Sequence, residues 1–199
     1  MSYYERTLPH WHPDGAAIFL TWRLFGSLPA SVPRLARQET PGKAFLALDR
    51  ELDRSTYGPL WLKDPHLAGC VVDALHFGQE PLRLYELGAY VVMPNHVHLL
   101  LRPCARLARI TKSLKGFTAR RANQFLDRTG LPFWQYESYD HWVRSDREYQ
   151  RIVAYIERNP VAAGLVESVE DWPWTSARSL PKSTGKNAYS TSQSARRVE

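Results

Sequence analysis

The chain predicts an α+β domain: a ferredoxin-like (split βαβ) antiparallel sheet with helices. Three observations carry that expectation. Apolar β-prone runs and helical stripes follow one another as strand, helix, strand, strand, helix, strand, helix. The two middle strands adjoin through a tight turn at Pro94-Asn95, as antiparallel neighbours do. At 199 residues, 44% of them hydrophobic, the chain has the size and apolar content for one domain with a real core.

Each element has a local reason. Residues 16–24 (AAIFLTWRL) form a compact β-prone run, ended by Phe25-Gly26-Ser27-Leu28-Pro29. Phe45, Leu48 and Leu52 recur at helical spacing within 43–54. Asp64-Pro65 reads as a helix start, an N-cap acceptor followed by proline in the first turn. Leu67, Val71, Ala74 and Leu75 then make its apolar stripe, and Phe77-Gly78 closes it. Strands follow over 82–93 and 96–102. From 106 to about 127 the period becomes helical again, with Leu107, Ile110, Leu114, Phe117 and Phe125 as the expected buried stripe. Residues 131–135 read as a turn and 139–143 as a fourth strand. Asp146 is expected to cap a last helix over 147–158, stopped by Asn159-Pro160. The segment 161–177 lacks periodicity but carries apolar anchors, so it is expected to pack on the body. A domain over 1–178 and a disordered polar and basic tail over 179–199 complete the expected organisation.

Composition narrows the function classes. The formal net charge is +6, and seven Trp and ten Tyr are many for this length. A basic, aromatic-rich chain suits a polyanionic partner, although a basic surface also serves solubility. Arg106, Arg109, Lys112, Lys115, Arg120, Arg121 and Arg128 fall on or beside the helix after strand three with hardly an acid among them. That face reads either as phosphate-contacting or as merely solvated. The two cysteines lie far apart without CxxC spacing, which favours a reducing cytosol over a disulfide framework. No apolar run reaches signal or membrane-spanning length, so a soluble, cytoplasmic chain with no membrane partner is expected.

The chemistry converges on 90–101 (YVVMPNHVHLLL). Side chains alternate faces along a strand, so His96 and His98 point one way while Val97, Leu99 and Leu101 enter a core. Two imidazoles on one face of a rigid strand are half of a metal site. The last helix presents Tyr155 and, about 40° round the same face, Asn159. A phenol at its ordinary pKa of roughly 10 needs help to act as a nucleophile. A divalent metal held by His96, His98 and the Asn159 side chain can polarise a phosphate in its line of attack. The alternative is that Tyr155 packs in the core and Asn159 serves as a C-cap before Pro160.

The strings PNHVHLL (94–100), YIERNPVAAGLV (155–166) and DWPWTSA (171–177) together resemble the HUH single-tyrosine transposases, in the branch of REP-associated tyrosine transposases. The opening HWHPDGAAIFLTWRLFGSLP is similar to that family's first strand, and the resemblance spans roughly 8–178. It implies an HUH endonuclease type of fold and a metal-dependent DNA strand-transferase. In such an enzyme His96 and His98 bind Mg²⁺ or Mn²⁺, Asn159 is the third ligand, and Tyr155 attacks single-stranded DNA at hairpin-forming, REP-like sequences. The products are a 5′-phosphotyrosyl link and a free 3′-hydroxyl. Expected DNA contacts are Arg109, Lys112, Lys115, Arg120, Arg121, His141 and Arg144, the last two from the YDHxxR stretch beginning at Tyr139. His141 reads either as such a contact or as a group that orders the sheet edge. His10 and His12 are weighed as DNA contacts or loop anchors, and Trp134, Trp172 and Trp174 as stacking or packing groups. A monomer is expected, with a dimer the alternative. The rival functional reading is a domesticated DNA-binding protein that does not cleave.

Overall fold

The computed structural model describes residues 15–32 and 39–178. His10, His12 and the tail over 179–199 lie outside the described residues. The sheet is built from β1 (Ile18–Arg23), β2 (Tyr85–Val92), β3 (His96–Pro103) and β4 (Tyr139–Trp142) in the order β2-β3-β1-β4, every pairing antiparallel. The main helices are α1 (Pro41–Arg54), α2 (Pro65–Gln79), α3 (Leu107–Phe125) and α4 (Asp146–Ala162). This is the expected α+β, ferredoxin-like arrangement.

The sheet carries helices on both faces, so strand alternation sorts its side chains between two cores. Ile18, Leu20 and Trp22 of β1 with Val97, Leu99 and Leu101 of β3 face α2 and α3, meeting Leu67, Val71, Leu75, Ile110 and Leu114. Phe19, Val91 and Leu100 face the other way, with Phe45 of α1 and Ile156 of α4. His96 and His98 share β3's alternation with Leu100 and therefore lie on the α1/α4 side. Each of residues 96–101 is 0% exposed, so the histidines are fixed in a fully buried strand.

Several boundaries depart from sequence expectation for identifiable reasons. Asp64 does cap α2, its Oδ1 accepting from the His66 and Leu67 backbone N–H groups at 2.8 and 3.4 Å. At α4, however, the cap is Ser145 rather than Asp146: its hydroxyl accepts from the Glu148 N–H at 3.2 Å. Asn159-Pro160 does not stop the helix. The preceding turn tolerates the proline, and α4 runs on to Ala162. Gly164, at φ 68°, makes the actual stop. Its N–H and that of Leu165 donate to the Val161 and Pro160 carbonyls at 3.0 and 2.9 Å, a Schellman closure that calls for a left-handed residue. On α3, Phe117 and Phe125 are not buried but 45% and 50% exposed, while Thr111, Thr118, Ala122 and Asn123 take the inner positions. Thr118 earns its place by accepting from the Trp134 indole N–H at 2.8 Å, which puts Trp134 in the core.

Beyond α4 the chain folds back along β2. The Val92 N–H donates to the Trp174 carbonyl at 2.9 Å, Val91 bridges Thr175, and the Trp172 indole donates to the Val92 carbonyl at 3.0 Å. The outer edge of β2 is thereby covered. Among the described residues, no helix is long and apolar enough to cross a membrane.

Candidate metal centre and nucleophile

The turn before β3 positions the first imidazole. The Met93 N–H closes the turn on the His96 carbonyl at 2.9 Å, while the Leu24 and Leu62 N–H groups hold the Asn95 and Pro94 carbonyls at 2.8 and 3.1 Å. Asn95 donates its amide to the Leu52 carbonyl at 2.9 Å, which turns its Oδ1 toward His96 Nδ1 at 2.7 Å. His96 must therefore donate from Nδ1 and present a bare lone pair at Nε2. His98 Nδ1 is held by the Thr21 hydroxyl at 2.8 Å, on the neighbouring β1 strand. Both Nε2 atoms then converge, 3.0 Å apart.

A carboxylate from α1 completes the cluster. Asp49 is 2% exposed, and its Oδ1 lies 3.3 Å from His98 Nε2 and 3.7 Å from His96 Nε2. Asp53, one turn on, brings Oδ1 to 3.8 Å from His96 Nε2. These are ion-pair distances, yet the groups are not ion pairs. Burial pushes His96 down to about 3, and burial together with His96 pushes His98 well below its ordinary value. Burial and then the charge of Asp53 push Asp49 up to about 8, and burial pushes Asp53 up to about 6. Burial thus favours the neutral form of both imidazoles and of both carboxyls.

The donor atoms fit a divalent cation. Bonds of about 2.1 Å at right angles put neighbouring donors roughly 3.0 Å apart, and tetrahedral bonds put them slightly wider. Asp49, His96 and His98 offer atoms within 4.8 Å of one another. Asp49 Oδ1 is buried without a hydrogen-bond partner, as is the Oδ1 of Asn159, which is 2% exposed. A set of two imidazole nitrogens and one carboxylate oxygen is consistent with a divalent metal without naming which.

α4 brings the phenol to the same carboxylate. The Tyr155 hydroxyl donates to Asp49 Oδ2, and its ring packs edge-on to His98 at 5.6 Å between centroids. Phe19 and Phe45 box the ring at 6.1 and 6.3 Å. One carboxylate thus touches both the imidazole pair and the phenol, all within a single chain.

Residues 83–159, a span that holds His96, His98, Tyr155 and Asn159, match the family described as transposase IS200 like. That span is similar to IS200-like transposases over 77 of the 199 residues. The chain is 32% identical over 97 residues to the REP-associated tyrosine transposase of Escherichia coli (strain K12), covering 47% of this chain and 54% of that protein. It is 29% identical over 105 residues to a putative REP-associated tyrosine transposase of Haemophilus influenzae, covering 46% and 58%. The chain spans about half the length of the curated relatives it matches. A solved REP-associated tyrosine transposase, bound to a REP hairpin, aligns over 100% of both chains with a TM-score of 0.50 and 20% identity, a likeness of fold.

Other residues singled out in the sequence fall elsewhere in the fold. Arg109, Lys112, Arg120 and Arg121 are exposed on α3, across the sheet from the histidines. The Lys115 ammonium donates to the Gln135 and Tyr136 carbonyls at 2.7 and 2.8 Å. His141 Nε2 meets Glu148 Oε1 at 3.0 Å, Glu148 Oε2 accepts from the Arg144 N–H at 2.7 Å, and the Arg144 guanidinium lies 5.2 Å over Trp142. Asp49 lies outside the matched span. Sequence reading missed it, and only its polarity within the stripe formed by Phe45 and Leu52 could have drawn notice.

Proposed function

We propose that this chain is a metal-dependent single-tyrosine DNA transposase that cleaves and rejoins single-stranded DNA at hairpin-forming, REP-like sequences. The observation that carries this reading is the shared carboxylate: Asp49 accepts the Tyr155 hydroxyl while lying 3.3 Å from the His98 Nε2 donor. The Tyr155 oxygen attacks the phosphorus, the bond to the 3′-oxygen breaks, and the products are a 5′-phosphotyrosyl link and a free 3′-hydroxyl. Rejoining to another 3′-hydroxyl runs the same exchange backwards and needs no nucleotide cofactor.

A divalent cation, Mg²⁺ or Mn²⁺, supplies Lewis-acid polarisation of the attacked phosphate when bound. His96, His98 and Asp49 would hold it, with Asn159 Oδ1 as a further oxygen donor. Asn95 and Thr21 keep the imidazole Nε2 atoms aimed, and Phe19 and Phe45 limit the swing of the Tyr155 ring. All of these groups come from one chain, which supports a monomer acting in cis on DNA in the bacterial cytosol.

The test is covalent capture: purified protein with Mn²⁺ or EDTA meets labelled hairpin oligonucleotides taken from repeats beside its own gene. A denaturation-resistant adduct is expected with Mn²⁺, and it is expected to vanish with EDTA and in Tyr155→Phe. Tight binding without adduct or cleavage across those substrates would establish a non-cleaving DNA-binding protein instead.

A further inference from the structure

We propose that the groove between α2 and α3 is a second nucleic-acid site, one that stacks unpaired bases of single-stranded DNA on the face of the sheet opposite Tyr155. The inference rests on DNA being the substrate, as argued above. It begins with misplaced aromatics: Phe77, Phe117 and Phe125 are 56%, 45% and 50% exposed. Leaving such rings in water forfeits burial worth about 25 cal/mol per Å² of apolar surface.

They are grouped rather than scattered. Phe117 and Phe125 line a hollow of about 550 Å³, and Phe117 and Phe77 line an adjoining one of about 260 Å³. Phe125 also stacks on His66, with centroids 4.7 Å apart and planes at 27°, making a two-ring platform. The same helix exposes Arg109, Lys112, Arg120 and Arg121, and no acid occurs from Leu107 to Phe125. Cations beside half-exposed rings suit a partner with a phosphate backbone and free π-faces. A duplex hides those faces, so the partner is single-stranded. Asp73 lines both hollows, where its carboxylate can accept from base amino groups and disfavours phosphates. Bases would then lie inward over the rings and phosphates outward along the α3 cations.

The full chain is titrated by fluorescence anisotropy with a hairpin carrying a single-stranded extension and with the same hairpin blunt. Replacing both Phe117 and Phe125 by Ala is expected to weaken binding of the extended hairpin about tenfold or more and leave the blunt one unchanged. Arg120→Ala with Arg121→Ala is expected to reduce the salt slope for the extended hairpin by roughly 1.4, two phosphates' worth. In the unaltered protein, Cys70 lines the groove and Cys104 is exposed elsewhere; the extension is expected to protect Cys70, and not Cys104, from alkylation. Unchanged affinity in the phenylalanine variant with Cys70 unprotected would overturn the inference, as would a change of oligomeric state in that variant without loss of DNA binding. Adduct formation at Tyr155 on the extended hairpin at saturating DNA, measured alongside, reports on the earlier reading separately and is expected to persist in the phenylalanine variant.

Discussion

At the scale of single residues, Asp49 does the most with the least warning. Its carboxyl group faces two bare or nearly bare imidazole nitrogens on one side and a phenol on the other. Asp49→Ala is expected to lower Mn²⁺ affinity at least tenfold, about 1.4 kcal/mol, and to reduce the metal-induced rise in Tm at a fixed Mn²⁺ concentration; isothermal titration and thermal melts check both. The histidine pair was legible in the sequence because strand periodicity alone puts His96 and His98 on one face. Tyr155 and Asn159 were legible as helix-face neighbours. Asp49 was not, because its helix belongs to another part of the chain and only tertiary packing brings α1 over β3. Asn95 and Thr21 escaped for the same reason: which side chain meets an imidazole Nδ1 is decided by turn geometry and by the β1–β3 register.

At the scale of elements, strands and helices followed from apolar periodicity, whereas their ends followed from caps that read ambiguously. A proline after a polar residue reads as a stop, yet Pro160 continues α4 because its neighbours still satisfy the helix end four residues later. The extension keeps Asn159 inside a regular turn rather than at a frayed end, which suits the ligand role proposed for it. Gly164→Ala is expected to cost about 1 kcal/mol, since a Cβ at φ 68° is strained whatever space surrounds it. Urea denaturation should show the loss in midpoint without a change in m-value. The α3 stripe was misjudged at Phe117 because that ring lies off the buried line Ile110, Leu114, Thr118 and Ala122, and at Phe125 because it is the last residue of the helix.

At the scale of the whole molecule, the buried cluster ties stability to pH. The imidazoles have lowered folded values, so they cost stability as pH falls through 6.5, and above that pH they are neutral folded or unfolded. The Asp49 carboxyl is the reverse case. Its raised folded value means that the folded chain holds a proton the unfolded chain has released, so stability is lost as pH rises toward about 8. Between about pH 6.5 and 8 this carboxyl dominates the site's slope, because Asp53 has already passed its value of about 6. The Tm of metal-free protein is expected to fall across that window, and saturating Mn²⁺ is expected to remove the fall, since the cation replaces the proton.

The donor set is also dispersed along the chain: Asp49 comes from α1, the imidazoles from β3 and the phenol from α4. Bringing such distant segments together costs loop-closure entropy that is recovered only when the sheet and both of its helical layers are in place. Geometry of this kind belongs to the last stage of folding rather than to its nucleus. Mn²⁺ added during refolding is therefore expected to leave the folding rate unchanged and to slow unfolding, a signature that stopped-flow chevrons with and without EDTA would display. Bound metal would then act as a latch that lengthens the lifetime of the native state, not as a seed that helps the chain find it.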